Sequence, residues 1–301
     1  MTRPALLLSL MLTAPIASAE LEVVIIEGLG GEERYAQLFA EQVTAIAEAT
    51  SALTTEDRVA VFRSGAFSRE DVAARFSAVS TRSSTDDRLA VFLVGHGSYD
   101  DHEYKFNVAG PDIDDGDLRD WLAEFGGSAL IVNTSSASGA IIDRIRADDR
   151  TVIAATRSGA ERHATRFGGY FATALTDPAA DLDKDRVVSA EEAFRYAERQ
   201  VGDYYERNGQ LATEHPRLEG TQAARFSLAR LDAARPARQD AELTRLVEAR
   251  ERLNGDVESL RLRRDSMTTE DYQAELLQRM IELATLEDRI EARERELAGG
   301  N

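Results

Sequence analysis

The chain has 301 residues, of which 43% are hydrophobic and 30% are charged, and this composition predicts a folded core. It has no cysteine, which excludes disulfides, thiolate metal sites and cysteine nucleophiles. The formal net charge of −18 argues against nucleic acid as a partner, because a strongly acidic surface repels phosphates.

Residues 1–19 have the pattern of a secretory signal peptide. Arg3 supplies a positive charge, residues 5–12 are almost entirely apolar, and Ala17-Ser18-Ala19 is a small-residue cleavage pattern. No later segment is apolar over the roughly eighteen residues that a membrane span requires, so none is expected after the signal is removed. We therefore expect a periplasmic or secreted bacterial protein. Retention of residues 1–19 as an anchor is the alternative.

After the signal peptide, short apolar runs alternate with amphipathic segments. Apolar runs bounded by turn residues predict buried strands, and apolar residues at three-to-four spacing predict helices. The predicted strands are 21–26, 59–62, 90–94, 129–132 and 151–156. The predicted helices are 35–46, 68–78, 118–125, 138–145, 165–175 and 190–204. This alternation predicts an α/β fold with a mostly parallel sheet and helices on both faces.

The turn Gly28-Leu29-Gly30-Gly31 follows the first predicted strand and starts like a dinucleotide-binding motif. The third glycine of that motif would fall at position 33, which is Glu33. We therefore interpret the segment as a strand-to-helix turn. No dinucleotide is expected, and no cofactor is required.

Two predicted strands end in residues suited to nucleophilic catalysis. Gly95-His96-Gly97 follows strand 90–94, and a cluster that contains Ser135 and Ser136 follows strand 129–132. The carboxyl ends of strands in α/β sheets carry ligands and catalytic groups. His96 would be the general base, either serine the nucleophile, and the Gly97 N–H an oxyanion donor, aided by the helix predicted behind the serines. The alternative is a structural histidine beside an ordinary serine-rich turn.

Residues 181–192 have the spacing of a calcium-binding loop. Aspartates stand at loop positions 1, 3 and 5, a serine at position 9 and a glutamate at position 12. These residues are Asp181, Asp183, Asp185, Ser189 and Glu192. Position 6 normally has glycine but is Arg186 here, which should weaken the site by roughly 1 kcal/mol or more. The alternative is an acidic turn in which Ser189 caps the next helix; a calcium-dependent adhesion or scaffold module would rest on this loop alone.

The composition changes at a predicted linker, residues 230–238, which contains Pro236. Beyond it, leucines at 246, 253 and 260 repeat every seven residues, and a second apolar series follows a break near 265–269. Two helices joined by a short turn predict an antiparallel, coiled-coil-like hairpin over residues 239–298. Such a hairpin would serve assembly with a protein partner, and a solvated surface decoration is the alternative.

The order of these motifs resembles the caspase-like peptidase fold, and its legumain-type branch in particular. Gly95-His96-Gly97 and Ser136-Ala137-Ser138-Gly139 are similar to the family's H-G pair and its C-x-S-G motif. The resemblance covers residues 21–227. Four further segments also carry the resemblance: Tyr104-Lys105-Phe106-Asn107, Gly110-Pro111-Asp112-Ile113, Ala155-Thr156-Arg157-Ser158-Gly159 and Phe167-Gly168-Gly169-Tyr170-Phe171.

The resemblance implies a three-layer α/β sandwich over residues 20–229 that acts on or binds peptides. It places Ser136 where the family has its catalytic cysteine, because Ser138-Gly139 fixes the register, whereas counting from the apolar strand favours Ser135. A hydroxyl must lose its proton during attack, so a site suited to a thiol usually works poorly with serine. Two functions remain open, a hydrolase with Ser136 and His96 and an inactive pseudopeptidase that binds peptides or partners.

Overall fold

The computed structural model describes residues 20–231 and 267–299, together with Arg245, Leu246, Ala249, Leu253, Leu260 and Arg264. The chain divides into two compact units, residues 1–234 and 235–301. The predicted signal peptide, residues 1–19, and most of the predicted linker, residues 230–238, lie outside the described residues.

The first unit is built on a mostly parallel sheet. The strands of its described residues are β1 (Leu21–Glu27), β2 (Val59–Phe62), β3 (Arg88–Val94), β4 (Gly97–Tyr99), β5 (Tyr104–Phe106), β6 (Ile113–Asp114), β7 (Ser128–Asn133), β8 (Arg150–Ala154), β9 (Val187–Ser189), β10 (Arg217–Glu219) and β11 (Ser227–Arg230). The main sheet has the order β2–β1–β3–β7–β8–β10. Its first five strands are parallel, and β10 runs antiparallel to β8.

Helices follow most of the parallel strands. They are α1 (Glu33–Ser51), α2 (Arg69–Arg82), α3 (Asp115–Ala123), α4 (Ile142–Ile145), α5 (Phe167–Ala174) and α6 (Ala190–Arg207). Ser68 and Ser189 begin α2 and α6 with capping boxes, in which the serine oxygen accepts a backbone N–H that the helix leaves unpaired. Both caps were predicted from the sequence, Ser189 as one of the two interpretations of its loop.

Alternate residues of the central strands face opposite layers of helices. In β3, Phe92 packs into a cluster with α1, α5 and α6, whereas Val91 packs into a cluster with α2, α3 and α4. This alternation arises because successive side chains of a strand point to opposite faces. Each fully buried aliphatic or aromatic side chain contributes about 1.5–3 kcal/mol to folding. The predicted three-layer α/β sandwich with a mostly parallel sheet is confirmed.

The segment behind the serines differs from the prediction of one helix over 138–145. Ser138–Ile141 is a 3₁₀ turn, and only α4 behind it is α-helical. Ala137 has a left-handed φ of 55°, so the chain does not enter the segment as a regular helix start. Two small antiparallel sheets, β4–β5–β6 and β9–β11, were also not predicted. Their strands have two to four residues, too few to show a periodic pattern.

The second unit contains the helix α7 (Thr269–Gly299), which is the second helix predicted for the C-terminal hairpin. Within this unit Leu246 packs against Ile290 and Leu286. Most of the first predicted helix of the hairpin lies outside the described residues. Among the helices that are described, none is long and apolar enough to cross a membrane.

Candidate functional site

The ends of β3 and β7 bring the predicted catalytic residues to one edge of the sheet. The two strands are parallel neighbours, with Leu93 beside Asn133. The Ser136 hydroxyl donates to the Gly97 carbonyl at 2.9 Å, and the Gly97 N–H points at Ser136 Oγ from 3.4 Å. Ser136 is therefore held by the backbone of the residue that follows His96, in a position that is 5% exposed.

The His96 ring lies against helix α1. It contacts Tyr35 and Phe39 edge-on, with ring centroids 4.8 and 5.0 Å away. Burial lowers the pKa of His96 below its usual value, and hydrogen bonding to the Gly30 backbone and the charge of Glu32 oppose this effect. The imidazole is consequently neutral at neutral pH, the form that can accept a proton. Among the described residues no hydrogen bond joins this ring to Ser136.

Ser135 belongs to a buried hydrogen-bond ring with Asn133 and Tyr104. Asn133 Nδ2 donates to the Tyr104 hydroxyl at 2.9 Å, and Ser135 Oγ donates to Asn133 Oδ1 at 2.8 Å. With these donors assigned, the Tyr104 hydroxyl donates to Ser135 Oγ at 2.6 Å. All three residues are fully buried, and burial raises the pKa of Tyr104 to about 12, so it keeps its proton. Ser135 is thus positioned to support the turn that carries Ser136.

The turn after Ser136 is hydrogen-bonded to the segment that follows β8. The N–H of Ala137, which has a left-handed φ of 55°, donates to the Glu161 carbonyl at 2.8 Å. The Gly139 N–H donates to Thr156 Oγ1 at 2.9 Å, and the Thr156 N–H donates to Ser138 Oγ at 3.2 Å. A left-handed alanine costs roughly 1–2 kcal/mol, and strained backbone of this kind is concentrated at functional sites.

The expected contribution of a helix terminus to an oxyanion site stays a prediction, and the helical segment behind the serines is short. The segment behind the serines contains a four-residue 3₁₀ turn and a four-residue α-helix, whose aligned peptide dipoles are few. The Gly97 N–H remains the backbone donor nearest to Ser136 Oγ among the described contacts. Any stabilisation of an oxyanion beside Ser136 therefore depends more on individual backbone N–H groups than on a helix dipole.

An open groove of about 760 Å³ lies between α1 and the segment that begins α5. Its size is that of a ligand-binding pocket. Its lining includes Tyr35, Leu38, Gln42, Thr165, Arg166 and Tyr170. Tyr35 lines the groove and also contacts the His96 ring, whereas His96 and Ser136 are not among the lining residues. The sequence pattern gave no indication of this groove, because its residues come from two helices more than a hundred positions apart.

The structure brings together the three aspartates of the predicted calcium loop. Asp181, Asp183 and Asp185 each offer a carboxylate oxygen, and these oxygens lie within 4.8 Å of one another. Ser189 and Glu192 instead form the capping box of α6, in which Ser189 Oγ donates to Glu192 Oε2 at 2.7 Å. Glu192 Oε1 accepts the Leu182 N–H at 2.8 Å, which ties the helix to the loop.

No protein-family model and no curated protein matches this chain. Three similar solved structures are the protein GSU0716 from Geobacter sulfurreducens, caspase-1 from Spodoptera frugiperda and the initiator caspase Dronc from Drosophila. Their identities to this chain are 12%, 10% and 12%, and their TM-scores are 0.44, 0.43 and 0.40. The matches cover 71%, 70% and 69% of this chain and 97%, 90% and 81% of the respective structures.

Proposed function

We propose that this chain is an exported protein with a caspase-like, legumain-type peptidase fold that binds peptides beside His96 and Ser136 and has lost, or nearly lost, hydrolysis. The observation that carries the proposal is the hydrogen bond of the Ser136 hydroxyl, whose proton points to the Gly97 carbonyl at 2.9 Å. A serine nucleophile needs a base at that proton. The order of the Gly95-His96-Gly97 and Ser136-Ala137-Ser138-Gly139 motifs supports the family assignment.

The groove between α1 and α5 is the proposed peptide site. It offers an apolar surface at Leu38 and Tyr35 and polar groups at Gln42, Thr165 and Arg166. An extended peptide requires both, because its backbone needs hydrogen-bonding groups and its side chains need apolar contacts. Arg166 is held in place by stacking on Tyr204, with its guanidinium carbon 3.7 Å from the ring centroid.

Export is part of the proposal and rests on the sequence of residues 1–19. Strand β1 begins at Leu21, so cleavage after Ala19 would leave the sheet complete. The intact mass of protein recovered from the periplasm should correspond to a chain that starts at Glu20. Recovery of the full chain in the membrane fraction would support an anchor instead.

A serine hydrolase is the second candidate, and the His96 environment favours it. The neutral imidazole that burial produces is the form a general base requires. In this reaction Ser136 Oγ would attack a peptide carbonyl, its proton would pass to His96 and then to the leaving amine, and water would release the acyl group. The Gly97 N–H would face the oxyanion.

Labelling with a serine-reactive fluorophosphonate separates the two candidates. The mature protein and the variants Ser136→Ala and His96→Ala are incubated with the probe, and their intact masses are measured. Ser98→Ala, in an exposed position of β4, is the matched control. For the binding protein we expect no added mass, together with saturable peptide binding from a fluorescent peptide library that survives Ser136→Ala.

The opposite results are equally distinct. An added mass that is lost in Ser136→Ala and His96→Ala but kept in Ser98→Ala would establish the hydrolase. If the protein shows no added mass and also binds no peptide of the library, both candidates are contradicted.

A further inference from the structure

We propose that the loop of residues 181–192 binds one calcium ion through the carboxylates of Asp181, Asp183 and Asp185. The loop joins the segment after α5 to helix α6, and its three carboxylate oxygens lie within 4.8 Å of one another. The site is independent of His96 and Ser136, so its test does not depend on the peptide-binding proposal.

The decisive observation is the state of Asp181. This residue is only 4% exposed, and its Oδ2 accepts the Arg186 N–H at 3.1 Å. Its Oδ1 is buried and has no hydrogen-bond partner in the described part of the chain. A buried carboxylate oxygen without a partner is strongly unfavourable, because it has lost its water without replacement. A cation between the three aspartates would supply that missing interaction.

The backbone of the loop already has the turns that such a site needs. Lys184 and Arg186 have left-handed φ angles of 64° and 69°. Position 6 of a calcium loop normally has glycine because the chain turns sharply there. Arg186 adopts the left-handed conformation, so the sharp turn forms although arginine is unfavourable at this position. The Val187 N–H also donates to Asp185 Oδ1 at 2.7 Å, which fixes that carboxylate at the loop.

The donor set selects a hard cation. All three side chains offer carboxylate oxygens, the ligand type that calcium and magnesium prefer. The two more exposed members, Asp183 and Asp185, line a surface cavity together with Ser189 and Glu192. Calcium tolerates irregular coordination completed by water, whereas magnesium demands near-ideal octahedral geometry. With few protein ligands in a single loop, we expect a Kd of about 10⁻⁴ to 10⁻³ M, the range of extracellular calcium modules.

The test titrates calcium chloride into the mature chain, residues 20–301, by calorimetry and by thermal unfolding. We expect one-site binding and a Tm increase of about 3–6 °C at a calcium concentration ten times the Kd. Magnesium should give a smaller increase. Asp183→Asn should weaken calcium binding at least about tenfold, because a carboxylate ligand becomes neutral. Asp143→Asn, at an exposed aspartate of α4, is the matched control and should bind like the original chain.

Two results would overturn the proposal. One is an unchanged Tm and no binding heat at about 10 mM calcium, far above the expected Kd. The other is calcium binding in Asp183→Asn equal to that of Asp143→Asn. Circular dichroism verifies that each variant is folded, and Asp185→Asn, also at an exposed position, replaces Asp183→Asn if the latter is not.

Discussion

Ser135 and Ser136 are neighbours in the chain but have different physical roles. Ser135 is fully buried and completes the ring with Tyr104 and Asn133, so its hydroxyl is part of the packing of the sheet edge. The Ser136 hydroxyl bonds only to the backbone of Gly97 among the described contacts, and the residue has a little solvent exposure. Of the two candidates for the nucleophile position, Ser136 is the one whose hydroxyl is not shared with other side chains.

Removing the two hydroxyls should therefore affect stability unequally. Ser135→Ala deprives the buried Tyr104 hydroxyl and Asn133 Oδ1 of a partner, so we expect the free energy of unfolding to fall by about 1–3 kcal/mol. Ser136→Ala removes a bond to a backbone carbonyl and should cost about 0.5–1.5 kcal/mol. Urea unfolding of both variants measures the difference. A larger loss for Ser136→Ala than for Ser135→Ala would contradict the assignment of roles.

The lowered pKa of His96 predicts a pH dependence of stability. The folded state binds this proton less tightly than the unfolded state, so the His96 contribution is fully present above about pH 6.5, the unfolded pKa. It is lost as the pH falls through the lower folded pKa. His96→Gln should consequently show a shallower fall in unfolding free energy between about pH 7.5 and 5 than the original chain.

The matched control is His102→Gln, at an exposed histidine. Its urea-unfolding profile across the same pH range should follow that of the original chain. Identical pH profiles for His96→Gln and the original chain would show that burial of His96 has no energetic consequence.

The site could be predicted from the sequence only in part. Glycine, histidine and serine at the ends of two apolar runs predicted that these residues meet at one edge of the sheet, and the two strands are parallel neighbours. Strands that are buried on both faces have recognisable apolar sequences. The partners Tyr104 and Tyr35 were not predicted as members of the site. Tyr104 is 29 residues from Asn133, and only the tertiary structure brings their side chains together.

At the scale of elements, the backbone of the turn after β7 packs directly against the backbone of the segment after β8. A side chain at Gly139 would place its Cβ 2.4 Å from the Arg157 carbonyl carbon and the Ser158 nitrogen. This close approach, together with the bonds between Ser138 and Thr156, fixes where Ser136 stands relative to the next strand. The glycine is needed here for space and not for an unusual backbone angle.

Two glycine substitutions, one at this close contact and one at an uncrowded helix position, test the packing. Gly139→Ala should lower the free energy of unfolding by about 1–3 kcal/mol, because the neighbouring atoms are backbone and must move. Gly202→Ala, inside α6, meets no atom within 4 Å and should raise it by about 0.5–1 kcal/mol. Thermal or urea unfolding gives both values. A Gly139→Ala variant as stable as the original chain would show that the two segments separate easily.

The elements that were predicted well are those with their own periodic pattern. Strand 59–62 coincides with β2, and the other four predicted strands differ from β1, β3, β7 and β8 by one or two residues at an end. The short strands β4, β5 and β6 depend on pairing with one another. Their sequences alone have too few residues to show alternation, so tertiary context determines them.

At the scale of the whole molecule, the described buried apolar residues of the first unit form two large clusters. Both large clusters are drawn from residues 21–231, and the small cluster of Leu246, Leu286 and Ile290 belongs to the second unit. A domain with its own core folds independently. Within the described part of the chain, the core of the first unit therefore draws on no residue beyond position 231.

A fragment of residues 20–234 should accordingly fold by itself. We expect cooperative urea unfolding with a midpoint close to that of the chain 20–301, since no described side chain of the two large clusters is removed. Circular dichroism and size-exclusion chromatography verify the folded, compact state. A fragment that is unfolded or aggregated would show that the C-terminal unit is required for folding.

The charged residues that flank strand β2 have a consequence for the behaviour of the protein at high concentration. β2 is the outer strand of the sheet and reads Val-Ala-Val-Phe, a sequence suited to recruiting strands from other molecules. Arg58 and Arg63 stand directly before and after it and pair with Glu22 and Glu27 at 2.6 and 3.3 Å. Guanidinium groups at both ends of an edge strand oppose fibril growth. The ion pairs with β1 thus also hold in place two charged residues that disfavour the addition of a further strand at this edge.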